Sequence, residues 1–100
     1  MTQDRRSEER KNIELPVRWD GPTGTYEARL QDISLWGCFV NTSERVELKE
    51  ILTVEIRLPT AKWLSLRGEV TSYKPGNGFG ILFSFLTDEE EEALKDLLAS

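Results

Sequence analysis

Apolar residues recur at every second position in run after run of this chain. Ile13, Leu15, Val17 and Trp19 alternate with Glu14, Pro16, Arg18 and Asp20. Tyr26, Ala28 and Leu30 alternate with Glu27, Arg29 and Gln31. The pattern returns at Leu52–Leu58, at Leu64–Val70 and at Phe79–Phe85, with a shorter strand from Cys38 to Thr42. Extended backbone points successive side chains to opposite faces, so each run reads as a strand with one dry and one wet face. Pro16 marks an edge strand or an N–H turned away from a partner. Gly21-Pro22-Thr23-Gly24 and Pro75-Gly76-Asn77-Gly78 read as turns, Pro59-Thr60 ends a run, and the polar stretch Ser43–Glu50 connects. Six half-buried strands with short connections have one compact solution: an antiparallel β-barrel closed on itself, expected over residues 13–86.

The end of the chain changes period. Thr87-Asp88-Glu89-Glu90 is a capping box, and Ala93, Leu94, Leu97 and Leu98 form a narrow apolar stripe. A C-terminal α-helix is expected over residues 87–100, one face on the barrel and its carboxylates in water. This segment carries six acidic side chains against Lys95, so it holds the whole net charge of -5. The rest of the chain balances, with no broad basic face, which argues against binding duplex nucleic acid.

Several chemistries drop out. The chain has no histidine and one cysteine, Cys38, so no internal disulfide and no thiolate–imidazole zinc site is available. A serine or cysteine nucleophile would lack its usual base. Gly76, Gly78 and Gly80 lack the Lys-Ser/Thr ending of a phosphate-binding loop. No catalytic residue, metal or cofactor is assigned, and no enzyme is expected. No apolar run reaches membrane-spanning length, and the charged stretch Asp4 to Lys11 is no secretory signal. A cytoplasmic, reducing setting is the expectation. Cys38, Trp19 and Trp63 read as packing residues.

Two polar features remain. In Asp32-Ile33-Ser34-Leu35-Trp36-Gly37, a strand corner holds a carboxylate and a hydroxyl two residues apart. On extended backbone both would face the same way. Gly37 permits an unusual conformation or a close approach. An Asx-type turn is the plain alternative. The second feature is Arg6-Ser7-Glu8-Glu9-Arg10, preceded by Arg5, in residues 1–12, which hold no apolar side chain beyond Met1. Those residues are expected to form a flexible N-terminal arm. Arg6 and Arg10 would share a face whether helical or extended, and could converge on one anion; otherwise they are a solvated charge run.

Together, Arg6-x-x-x-Arg10 and Asp32-x-Ser34-x-x-Gly37, the last strand Gly78 to Phe83 and the acidic-start helix resemble the PilZ domain, a family of bacterial receptors for cyclic di-GMP. The resemblance spans nearly the whole chain. It implies a non-enzymatic receptor whose arm folds over the nucleotide and signals to an effector protein. It implies ligand contacts from Arg5, Arg6, Arg10, Asp32 and Ser34, with Gly37 leaving room. Guanidiniums suit phosphate and the guanine O6/N7 edge, and Asp32 suits guanine N–H donors. Trp36 stands where the family often has a small residue, and either stacks on a guanine or crowds the ledge. Tyr73 or Trp63 could supply a stacking aromatic. In this family an arginine at the position of Arg5 implies a stacked pair of nucleotides, so two cyclic di-GMP molecules are expected per chain. The alternatives are an adaptor of the same fold that binds only protein, and a small barrel that binds single-stranded nucleic acid.

Overall fold

The structure is a computed structural model that describes residues 10–21 and 24–99. Among them the chain forms β1 (Lys11–Asn12), β2 (Pro16–Gly21), β3 (Gly24–Ile33), β4 (Gly37–Asn41), β5 (Ile51–Arg57), β6 (Trp63–Lys74), β7 (Gly78–Phe83) and α1 (Asp88–Ala99). Neighbours run β3-β2-β5-β6-β7-β4, all antiparallel, and β4 pairs back onto β3. The sheet is thus a closed six-stranded barrel, with β1 as a short extra piece beside β3.

The alternation of the sequence fills the barrel. Val17, Leu30, Val40, Val54, Ile56, Leu66, Val70 and Phe79 are buried to 1% exposure or less. Trp19 packs edge-on against Phe79, ring centroids 5.2 Å apart, so it belongs to the core as expected. Cys38 is buried there too. Leu94 and Leu97 dock α1 on the barrel. Its capping box forms in full: Glu90 N–H donates to Thr87 Oγ at 3.1 Å, and Thr87 N–H donates to Glu90 Oε1 at 3.0 Å.

Three irregularities bend this plan. Lys11 and Asn12 pair with Ile33 and Asp32, whereas Pro16 pairs with Arg29, so one extra residue lies between β1 and β2. Pro16 falls at that break, where its missing N–H costs no regular ladder bond. On β3 the register against β4 slips between Leu30 and Asp32, leaving Gln31 as a bulge. On β6 the register against β7 slips between Val70 and Ser72, leaving Thr71 as another. Each bulge flips the parity of the residues after it. Leu30 and Ile33 both face inward, so Asp32 faces out; Val70 and Tyr73 both pack toward the core, so Ser72 and Lys74 face out.

Two sequence expectations change here. The arm was expected to include residues 11 and 12, but Lys11–Asn12 is a strand, because backbone pairing to β3 orders it without apolar anchors. The expectation for residues 1–9, including Arg5 and Arg6, lies outside the described residues. The last strand was expected to run to Phe85, but it ends at Phe83. Phe85 takes a left-handed φ of 51° and stands 89% exposed.

Candidate functional site

The outer face of β4 and β7, between the two bulged strands, forms an open groove of about 690 Å³. That volume lies within the usual range for small-molecule sites. Cross-strand register makes its floor. Asn12, Asp32, Phe39, Gly80 and Ser72 form one row across β1, β3, β4, β7 and β6. Asn41, Gly78 and Lys74 form the next row, and Gly37 pairs with Leu82 at the other end. Phe39 lies over the two glycines of β7. A Cβ on Gly78 would come within 2.9 Å of its ring, and one on Gly80 within 3.7 Å of its ring and 2.6 Å of Ser72 Oγ. Phe39 therefore offers a half-buried aromatic floor.

Cations edge the groove. Arg10 Nη1 donates to Asp32 Oδ1 at 2.6 Å, joining residues 22 apart in sequence. The pairing of β1 with β3 brings them together. The Arg10 side chain is 58% exposed and that of Asp32 14%. An ion pair open to water on one side is weak, so the guanidinium is free to turn to another anion. At the far side Lys74 Nζ lies 5.8 Å from the centre of the Phe39 ring. Trp36, 54% exposed, closes the end beside Leu82.

The corner itself differs from its sequence reading. Ser34 is 2% exposed, and its Oγ accepts from the N–H groups of Trp36 at 3.0 Å and Gly37 at 3.3 Å. The Ser34 N–H donates to the Gly37 carbonyl at 2.8 Å. Ser34 is thus the maker of a tight turn and does not line the groove; the chain leaves extended backbone after Ile33, so the Asp32 and Ser34 side chains part. Gly37 also changes role. A Cβ there would collide with the carbonyl of Ile81, so its missing side chain admits the β7 backbone, while Gly37 still lines the groove. Burial, with the Asp32 charge as a smaller cause, pushes the Cys38 thiol up to about 12, so it stays neutral and inert. Neither proposed stacking aromatic lines the groove: Tyr73 packs against the core, and Trp63 holds Arg18 over its ring at 3.9 Å on another face. Phe39 and Lys74 were not singled out from sequence. Lys74 is hidden by the Thr71 bulge, which breaks the alternation that would have placed it. Among the described residues no group of three His, Cys, Asp or Glu side chains could hold a metal ion. No helix among them is long and apolar enough to cross a membrane.

A closed barrel with a cation-edged, aromatic-floored groove on its outer wall defines a small binding domain. The family model of the PilZ domain matches residues 4–100, and the chain belongs to the PilZ domain family. The Bacillus subtilis inhibitor of motility, MotI/DgrA, is similar with a TM-score of 0.79 at 18% identity, over 97% of this chain and 51% of that one. The PilZ domain of Escherichia coli YcgR with c-di-GMP gives 0.78 at 14% identity, over 96% and 91%. The K. pneumonia MrkH–c-di-GMP complex gives 0.78 at 17% identity, over 98% and 52%. The chain spans about half the length of the MotI/DgrA and MrkH chains. At these identities the likeness is one of fold. No curated protein sequence matches the chain.

Proposed function

We propose that the chain is a receptor domain for cyclic di-GMP that binds the nucleotide in the β4–β7 groove and signals to an effector protein. One observation carries this reading: Arg10 and Asp32, far apart in sequence, meet at the rim of that groove. The ligand offers phosphates and guanine edges. Arg10 and Lys74 supply cations for the phosphates, and a guanidinium also fits the guanine O6/N7 edge. Released from Arg10, the Asp32 carboxylate accepts from guanine N–H groups. Phe39 and Trp36 supply flat apolar surface for the bases. Arg5 and Arg6 precede Arg10 in sequence, and in this reading they close over the ligand as the chain before β1 folds onto it. Arg5 adds the cation that a stacked nucleotide pair, with four phosphate charges, requires. The similar YcgR and MrkH structures, both with c-di-GMP, support the choice of ligand.

A second reading is an adaptor of the same fold that binds protein and no nucleotide. The exposure of Trp36 and Phe85 favours it. Backbone amide shifts during a cyclic di-GMP titration separate the two. The receptor reading expects shifts at Asp32, Gly37, Phe39 and Lys74 and none at Trp63. No shift at saturating nucleotide leaves the adaptor, and shifts confined to other faces refute the groove.

A further inference from the structure

A second, mostly apolar groove shares Trp36 with the β4–β7 groove. Leu35, Trp36, Phe83, Phe85 and Leu86 line it, with Glu91 of α1 at its edge, and it encloses about 250 Å³. Phe85 is out of place by two measures. Its backbone sits in the left-handed region, which a bulky side chain rarely adopts, and its ring faces water. Strain kept at an exposed aromatic points to use of that ring. At its edge Glu91 pairs with Lys95 at 3.6 Å, and the first turns of α1, which carry Glu91, also expose Asp88, Glu89 and Glu92, leaving that end of the helix net acidic. Acidic side chains beside an open apolar groove ask for a partner with the complementary arrangement.

We infer that this groove docks a basic, amphipathic segment of a partner protein, its apolar side chains against Phe85 and Trp36 and its lysines or arginines against the start of α1. A central aromatic anchor with a charged rim is the usual anatomy of such contacts. A second copy of this chain fits less well, because α1 would meet its own charge. The groove shares Trp36 with the β4–β7 groove, but its other lining residues are its own, and the inference does not depend on nucleotide binding.

The probe is an amphipathic helical peptide of leucine and lysine, about 18 residues long. Its control has the same composition, scrambled to remove the apolar face. The amphipathic peptide should shift the amides of Leu35, Trp36, Phe85 and Leu86, weaken with added salt, and bind at least about tenfold tighter than the control. Phe85→Ser should lower that affinity about tenfold while leaving the melting temperature unchanged, since Phe85 lies outside the core. Glu91→Lys should weaken binding and flatten its salt dependence. Equal binding of the scrambled peptide, or shifts on another face, overturns the inference. So does sedimentation showing a dimer that Phe85→Ser dissolves, or Phe85-dependent binding to phosphatidylcholine vesicles.

Discussion

The corner from Asp32 to Gly37 divides its work residue by residue. Asp32 faces the groove and Ser34 builds the turn behind it. Ser34→Ala strips a buried acceptor from two N–H groups and should cost about 1–3 kcal/mol in urea unfolding. Folded Ser34→Ala protein should still bind nucleotide, because the hydroxyl does not reach the groove. A stability like the parent's, with lost binding, would make Ser34 a ligand contact after all. Gly37→Ala drives a methyl into the Ile81 carbonyl and should destabilise by about 1–3 kcal/mol. A Gly37→Ala chain as stable as the parent would mean that the close approach to the Ile81 carbonyl does not require glycine there. Cys38, its thiol pushed up to about 12, should resist iodoacetamide in the folded chain and react once unfolded. The folded thiol keeps its proton while an unfolded one loses it above the ordinary value of 9.0, so this residue lowers stability as pH rises from about 9 to 12. Cys38→Ala should remove that part of the pH dependence.

At the scale of elements, regular strands were legible in the sequence and their irregularities were not. Alternation from Val17 to Trp19 and from Leu52 to Ile56 needs no partner to be read, because half-burial of a pleated strand imposes it. The capping box at Thr87 and Glu90 is likewise a local pattern with a local cause. Thr87→Ala should cost about 1 kcal/mol, read as a lower urea midpoint, and an unchanged midpoint would mean that docking of Leu94 and Leu97 alone holds the helix. The bulges at Gln31 and Thr71 depend on pairing with other strands, which one sequence does not display. They decide the site. Without the first, Asp32 would share the inward face of Leu30; without the second, Lys74 would point toward the core. Of the residues that line the candidate groove, Arg10, Asp32, Trp36 and Gly37 were singled out from their motifs, while Phe39 and Lys74 needed the register. Phe85 continued the apolar alternation, and only its backbone conformation shows that it leaves the sheet.

Across the whole molecule, two grooves share one wall. Trp36 lines both the β4–β7 groove and the apolar groove beside α1. A ligand that moves this indole changes the other site, and the coupling is reciprocal. Nucleotide should therefore alter affinity for the amphipathic peptide by about fivefold or more, and Trp36→Ala should abolish the effect. Peptide affinities equal with and without nucleotide would make the grooves independent. The central claim, that this PilZ domain receives cyclic di-GMP through Arg10 and its arginine neighbours, is tested most directly by isothermal titration calorimetry of the parent, Arg10→Ala and Arg5→Leu chains. The expected result is saturable binding by the parent with a stoichiometry of about two, because in the proposed reading Arg5 supplies the cation that a stacked pair requires. Arg10→Ala should lose about 2–5 kcal/mol of binding free energy without a change in melting temperature. Arg5→Leu should keep binding with a stoichiometry of about one. A parent that gives no heat and no saturation at millimolar nucleotide, or an Arg10→Ala chain that binds like the parent, contradicts the claim.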